Sequence, residues 1–492
     1  MPQRPRTLKS CRFPDAGRTH AGGKDSSLSS SRQIRGPSLV AILAVVLAAD
    51  MLDLIDGTLT SIAAPSIARD LGGGEAFVSW LGTAYALALG VFLVLGGRLG
   101  DRYGQRRLFL TGIAGFTLAS LACGLSTGAV PLIVARFAQG AFGALLIPQG
   151  MAILTTTFPR EQLGMAFSAF GPVLGLSAIA GPIVGGLIID ADILGLGWRP
   201  MFLINIVLGG LGFVAALKVL PETAARPAVR LDGPGSLLLG LAMLAAIYGL
   251  IDGASSGWMG VPGLLIGAAL VLFAAFGWRQ ATAADPLILP SLFRSRGFVS
   301  GLVVGFVFFA AVNGLVFIVS LFLQGTLGVS PSAAALRMVP MTLGIVVASA
   351  AGMALIPRLG RQLVTAGLFI TLVGAALLAL ALQDGSGTFG LSAALFVLGL
   401  GMGSCFGTIY DIALGDTSPD EAGSASGSLS AIQQLAASAG MATMSSAFLA
   451  GRTAFGGAGA LTACLAAIAG LLVLSLPLVA LMPKAAPAES IH

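Results

Sequence analysis

Charge is what this sequence has least of: 10% of its 492 residues are Asp, Glu, Lys or Arg, against 56% that are hydrophobic. A soluble chain of this length would carry far more charge on its surface, so the composition points to a polytopic membrane protein. Histidine is nearly missing as well. His20 and His492 lie in the end segments, which excludes a histidine proton relay or histidine metal site within the membrane. The lysines are Lys9, Lys24, Lys218 and Lys484, and none follows Gly-x-x-x-x-Gly and precedes Ser or Thr. Without that phosphate-cradling loop, ATP-driven transport by this chain alone is not expected. Cys11, Cys123, Cys405 and Cys464 form no Cys-x-x-Cys pair and no disulfide framework, and the last three fall in apolar segments as small hydrophobes. No constellation supports an enzyme, a metal or an organic cofactor. The net charge of +6 is too dispersed to indicate a nucleic-acid partner.

What the chain does have is apolar segments of membrane-crossing length, and fourteen can be counted. They cover 38–64, 76–97, 108–126, 129–153, 163–190, 199–220, 234–252, 262–279, 298–324, 332–355, 362–382, 388–414, 423–450 and 458–482. Residues 1–37, rich in Arg, Ser, Gly and Pro and without an apolar core, read as a disordered cytoplasmic tail, not a cleaved signal. Of the 27 Lys and Arg, only Arg69, Arg199, Arg337 and Arg452 fall in one alternating set of loops, Arg136 falls inside a span, and all others fall on the opposite side. The positive-inside rule then places both termini in the cytoplasm of a multi-pass protein of the plasma (inner) membrane.

A short connection after the second span concentrates charge: Gly97-Arg98-Leu99-Gly100-Asp101-Arg102-Tyr103-Gly104-Gln105-Arg106-Arg107. Read as a loop, it brings two helix ends close at its glycines. Asp101 can accept hydrogen bonds from neighbouring arginines or from a helix N-terminus. It is either a polar latch between helices that slide or a positively charged loop that only fixes topology. Gly97, Asp101, Arg102, Gly104, Arg106 and Arg107 are the latch candidates. A degenerate copy, Leu355-Ile356-Pro357-Arg358-Leu359-Gly360-Arg361, lacks the acid and fits two duplicated halves.

Asp50, Asp53 and Asp56 interrupt the first apolar span. Spacing of three places them on an arc of about 120° that rises about 9 Å, so all three can face one polar cavity. Carboxylates in hydrocarbon must face the bundle interior, find partners or take up protons. They are therefore either proton-coupling and cation-binding groups or a fixed network. Arg136, in the fourth span, falls at a depth similar to Asp56, about 8–10 Å from the same membrane face, which predicts Asp56 or Asp53 as its nearest acid. In the fifth span, Gly171, Gly175, Ala178, Pro182 and Gly185 share a stripe that can admit another helix, and Pro182 invites a bend. Asp411 reads as a second acidic site or as part of a solvated face. Trp80, Tyr85, Trp198, Trp258 and Trp278 read as interface anchors. Phe306, Phe308, Phe309 and Phe317 either line an apolar pocket or face lipid.

Several of these stretches carry a family resemblance. The connection at 97–107 resembles the G-x-L-x-D-R-x-G-x-R-R signature of the major facilitator superfamily. Leu54-Ile55-Asp56-Gly57-Thr58 through Pro65 is similar to the L-D-x-T-I-V-N-V-A-L-P signature of its fourteen-span drug:proton antiporters, with Ser61 in place of the usual Asn and Asp50 outside the pattern. Arg136-Phe-Ala-Gln139-Gly140-Ala-Phe-Gly143-Ala144 resembles the R-x-x-Q-G-x-G-A motif. Gly181-Pro182-Ile183-Val184-Gly185-Gly186 resembles the antiporter motif G-P-x-x-G-G, and Trp198-Arg199 with Phe202 and Asn205 matches the run into the sixth span.

The resemblance implies an all-α integral membrane fold of 14 transmembrane helices. Two pseudo-symmetric six-helix halves (38–220 and 298–483) would flank two linker helices with their loops (221–297), with a short cytoplasmic tail at 484–492. The implied activity is multidrug efflux by a proton antiporter, exporting small amphipathic or cationic compounds by alternating access. It would be driven by the proton gradient without a cofactor and would work as a monomer. Asp53, Asp56, Asp50 and Arg136 would couple protons to substrate, and Gly175, Gly181, Pro182, Gly185 and Gly186 would form the antiporter motif. Rival readings are an exporter of an endogenous metabolite, lipid precursor or siderophore, a proton-coupled importer, and a transport-dead membrane sensor.

Overall fold

An apolar chain in lipid must pair its backbone polar groups within each segment, and a helix does so locally. The computed structural model describes residues 38–72, 75–223, 232–329, 331–383, 387–415, 417–418 and 420–483, and no strand occurs among them. The expected tails at 1–37 and 484–492 lie outside the described residues. In chain order the helices are α1 (Leu39–Asp70), α2 (Glu75–Tyr103), α3 (Gln105–Gly124), α4 (Ala129–Thr157), α5 (Arg160–Ser168), α6 (Phe170–Ala191), α7 (Pro200–Val219) and α8 (Gly233–Ser256). They continue with α9 (Val261–Thr282), α10 (Arg296–Gly325), α11 (Pro331–Arg337), α12 (Val339–Leu359), α13 (Arg361–Gln383), α14 (Gly387–Leu414) and α15 (Ala422–Val479). Ten of the described helices are long and apolar enough to cross a membrane, and α12 adds a shorter apolar stretch, Val339–Gly352.

Local chemistry explains where the helices stop, and it corrects the sequence reading in three places. The charged connection at 97–107 is not a loop. α2 runs through Asp101 to Tyr103, α3 starts at Gln105, and Gly104 alone, at φ +96°, turns the chain. A side chain rarely adopts that angle, so glycine is required there. Gly360, at φ +50°, makes the corresponding one-residue turn between α12 and α13. The fifth apolar segment is two helices that part at Ala169, ahead of Pro172, which has no N–H to give the preceding turn. Helix α6 then continues through position 182, so the break between helices falls at Ala169. The segment 332–355 likewise divides into α11 and α12 at Met338, just before Pro340. The last two predicted spans hold as two helices that run together under the label α15 and part at Gly456, which takes φ +70° and ψ 176°.

Packing gives each helix defined neighbours. α1 lies against α6 and α7, α2 against α4, and α3 against both α4 and α7. α10 packs along α15, while α12 and α13 both pack on α14. Between these groups, α15 meets α2 and α4, α5 meets α12 and α14, and α6 meets α11 and α12. The α8–α9 pair rests on α2 and α15. Cys123, Cys405 and Cys464 are buried and unbridged, as small core hydrophobes.

Candidate functional site

Arg136 projects from α4 into a place where a free guanidinium would be costly, and it is 1% exposed. Its Nη1 donates to Asp56 Oδ2 at 2.5 Å and to Gln139 Oε1 at 2.6 Å, and its Nε donates to the Leu81 carbonyl at 3.3 Å. Asn205 of α7 donates through Nδ2 to the other Asp56 oxygen at 2.5 Å and to Ser120 Oγ at 3.3 Å. Gln139 Nε2 also donates to Ser120 Oγ, at 2.7 Å. The guanidinium lies 4.5 Å from the Tyr85 ring centroid and 5.8 Å from that of Phe202. Five helices, α1, α2, α3, α4 and α7, therefore meet around one buried ion pair. Both Asp56 oxygens accept hydrogen bonds, one of them from the guanidinium.

The other two carboxylates differ. Asp53 accepts from the Tyr85 hydroxyl, a neutral donor. Gly143 makes room for this pair, since a Cβ there would come within 2.9 Å of Asp53 Oδ1 and 3.2 Å of the Tyr85 oxygen. Asp50 and Asp53 line a cavity of about 120 Å³ together with Phe406 and Tyr410 of α14 and Ser430, Gln433 and Gln434 of α15. Asp56 is not on that lining. The expectation that all three acids face one cavity is thus corrected: the 120° arc from Asp50 to Asp56 is wide enough to turn Asp56 away toward α4 and α7. In this conformation the cavity is well below the several hundred Å³ of a drug-sized site, so it has room for a head group or a few waters.

At the far end of α2, Asp101 accepts from the backbone N–H groups of Gly423 and Ser424, both at 3.1 Å. These are the orphan donors that open α15, so a side chain from one helix caps another. Arg98 is the nearby cation, 3.8 Å from Asp101. A Cβ at Gly97 would lie 2.1 Å from the Gly423 carbonyl, which fixes how closely α2 and α15 approach. Ser426 Oγ donates to the Pro148 carbonyl at 2.9 Å, adding α4 to the contact. The remaining predicted latch arginines point elsewhere. Arg106 bonds the Leu217 carbonyl at 2.6 Å and pairs with Glu222 at 3.7 Å, tying α3 to the end of α7. Arg102 lies over the Tyr103 ring at 5.3 Å, and Arg107 is exposed.

A sequence profile described as Major Facilitator Superfamily matches residues 46–441, which takes in the ion pair, the cavity and the Asp101 cap. The chain belongs to the Major Facilitator Superfamily. It is therefore a multi-pass membrane transporter of small molecules. Among relatives, it is 40% identical over 416 residues to the probable actinorhodin transporter of Streptomyces coelicolor, covering 83% of this chain and 72% of that protein. It is 34% identical over 415 residues to the tetracenomycin C resistance and export protein of Streptomyces glaucescens, covering 84% and 76%. With the puromycin resistance protein of Streptomyces alboniger it shares 36% over 413 residues, covering 82% and 80%. The human organic anion transporter MFSD10 has the same fold, with a TM-score of 0.65 at 17% identity over 90% of this chain and 100% of that one.

Within this superfamily member, the other predicted groups can now be placed. Gly181 of α6 faces α1, where a Cβ would meet Thr58 Oγ1 at 1.8 Å, while Gly171 faces α12 and would meet Ser349 Oγ at 2.2 Å. Gly185 is buried; Gly175, Pro182 and Gly186 lie along the same helix. The small-residue segment therefore packs on two neighbours, not one. Asp411 is buried, not on a solvated face. Trp80, Trp258 and Trp278 are exposed enough to anchor helices, but Tyr85 and Trp198 are buried. Trp198 Nε1 donates to Asp70 at 3.0 Å, alongside Arg199 at 2.9 Å. Phe308 and Phe309 are buried while Phe317 is exposed. The functional partners that sequence reasoning missed are Tyr85, Ser120 and Arg98. Tyr85 had one signal, a hydroxyl well inside an apolar run.

Proposed function

We propose that this transporter is a proton-coupled antiporter that exports small amphipathic or cationic compounds by alternating access, in the manner of multidrug efflux carriers. One observation carries the reading: three carboxylates on α1 have three different environments. Asp56 is held by Arg136 and Asn205, Asp53 by a neutral phenol, and Asp50 faces the cavity. A carboxyl bonded to a neutral donor can exchange its proton as access alternates, whereas one paired with arginine keeps its charge. Asp53 is accordingly the proton carrier, and the Asp56–Arg136 pair holds the surrounding helices and tunes it. The names of the relatives, antibiotic transport and resistance proteins, support the cargo class.

The accompanying architecture is fourteen spans in two pseudo-symmetric six-helix halves, with α8 and α9 as linkers and both termini in the cytoplasm of the plasma membrane. The working unit is one chain. The Asp101 cap is then an inner latch that closes the cytoplasmic side while the cavity loads or empties outside. Proton binding at Asp53 from outside releases the substrate, and proton loss to the cytoplasm readies the cavity again. The test is proteoliposomes with an internal pH-sensitive dye, an imposed proton gradient and a panel of amphipathic cations and neutral compounds. Substrate-dependent proton movement in the parent that stops in Asp53→Asn supports antiport through this residue. Movement unchanged in both Asp53→Asn and Asp56→Asn would remove these two carboxylates from the coupling. Silence toward every cation would redirect the reading to export of an endogenous neutral or anionic metabolite.

A further inference from the structure

The central cavity holds two buried polar atoms that nothing satisfies. Asp50 Oδ1 and Ser430 Oγ have no hydrogen-bond partner, and their residues are 7% and 5% exposed. They come from different elements, α1 and α15, yet line the same cavity. Buried polar atoms are nearly always paired, so two orphans on one cavity call for an occupant that supplies the missing bonds. The lining restricts what that occupant is. Among the described lining residues the only charges are Asp50 and Asp53, and no Lys, Arg or His is present. Asp53 already accepts from Tyr85. The remaining demand is for positive charge together with N–H donors. On the same lining the Phe406 and Tyr410 rings are stacked, with centroids 5.1 Å apart and planes at 20°, and the Tyr410 hydroxyl donates to Gln433. These rings offer a π-face to a cation and an apolar plate to its skeleton.

We infer that Asp50 and Ser430 form a head-group site for protonated amines that carry N–H donors, and that the site selects them over quaternary ammonium ions of the same skeleton. A protonated primary amine brings three donors and one charge. It can bond Asp50 Oδ1 and Ser430 Oγ at once, filling a space that suits a head group but not a whole drug. A trimethylammonium group brings the charge with no donor and leaves both oxygens unsatisfied. Such a loss is worth about five- to a hundredfold in affinity. The inference rests on the reading of this cavity as the cargo site, and it concerns recognition only, not proton coupling.

Equilibrium binding separates the two. Naphthylmethylamine and naphthylmethyl-trimethylammonium would be titrated into the purified full-length transporter in lipid nanodiscs at neutral pH, where both are cations. The expected result is at least about fivefold tighter binding of the amine to the parent. The preference should vanish in Asp50→Asn, which keeps shape and loses charge, and shrink in Ser430→Ala, with both variants eluting as folded monodisperse protein. Equal affinities in the parent, binding of neither compound, or a preference that survives Asp50→Asn would overturn the inference and leave water as the occupant of the cavity. Amine-selective binding without proton-driven export in proteoliposomes would sustain the site and defeat the antiport reading. Proton-driven export with no N–H preference would do the reverse.

Discussion

Arg136 and Asp56 bind each other in a place where neither charge is tolerable alone. Removing one partner of a buried pair costs about 3–5 kcal/mol, because the survivor keeps its desolvation penalty without compensation. Arg136→Ala should therefore lower the thermal unfolding midpoint of the detergent-solubilised protein sharply. The double variant Arg136→Gln with Asp56→Asn should lose less than the sum of the single changes, since it leaves no orphan charge. Asn205→Ala strips one donor from Asp56 and is expected to cost about 1–3 kcal/mol. Tyr85→Phe deletes the neutral donor to Asp53 while keeping the ring beside Arg136. It should cost about 1–3 kcal/mol, to the same extent as the Asn205 change, and shift the pH dependence of proton-coupled transport. An unshifted profile would take Tyr85 out of the coupling.

Helices are the units that the polar groups hold in register. Asp101 caps α15 from α2, and capping bonds of this kind are worth about 0.5–2 kcal/mol. Asp101→Ala should open that end, raising maleimide labelling of a Ser426→Cys reporter, placed at a site now buried against Pro148. The labelling is done with Cys11→Ser in place; the remaining Cys123, Cys405 and Cys464 are buried, which favours a low background. Unchanged labelling would mean that the Gly97–Gly423 approach alone keeps the helices together. The linker pair has a different clasp. Asp232 caps α8 at the Gly235 N–H, 3.0 Å away, and accepts from Arg279 of α9 at 2.8 Å. Burial acts to raise its carboxyl, but Arg279 and the Gly235 N–H outweigh it and hold the group below the usual carboxylate range. A lowered folded value means stability that is present above the unfolded value of about 3.9 and is lost as pH falls through the folded one. Parent and Arg279→Gln should accordingly differ in stability at neutral pH and converge in strong acid.

For the molecule as a whole, the turn within α15 decides the topology. Gly456 sits at φ +70° and ψ 176°, a region closed to residues with a Cβ. Gly456→Ala should cost about 1–3 kcal/mol and reduce the yield of folded protein. If the chain reverses there, as the fourteen-span architecture requires, reporter fusions at the two ends will fall on the same side of the membrane. Opposite sides would mean an odd number of crossings and would break the assignment of an inner latch. The α8–α9 pair should be separable from the coupling chemistry, because among the described residues none of either helix bonds into the Arg136 network or lines the Asp50 cavity.

Much of this was legible in residue order alone. Apolar length determines that segments become helices in lipid, since no other open structure pairs its own backbone there. Spacing of three put Asp50, Asp53 and Asp56 within an arc of about 120° on α1, and matched depth narrowed the partner of Arg136 to Asp56 or Asp53, without choosing between them. Glycine and proline marked where the chain turns, although Pro172 and not Pro182 parts α5 from α6. What tertiary packing decided was which carboxylate meets which partner. Sequence spacing specifies angles within one helix, but Asn205, Tyr85 and Ser120 reach α1 or α4 from helices whose rotation depends on every neighbour. The same holds for Asp101, whose acceptor role depends on the N–H of Gly423, 322 residues later in the chain. It holds again for the two unsatisfied oxygens of the cavity, since a missing bond is a property of three-dimensional surroundings and has no signature in residue order.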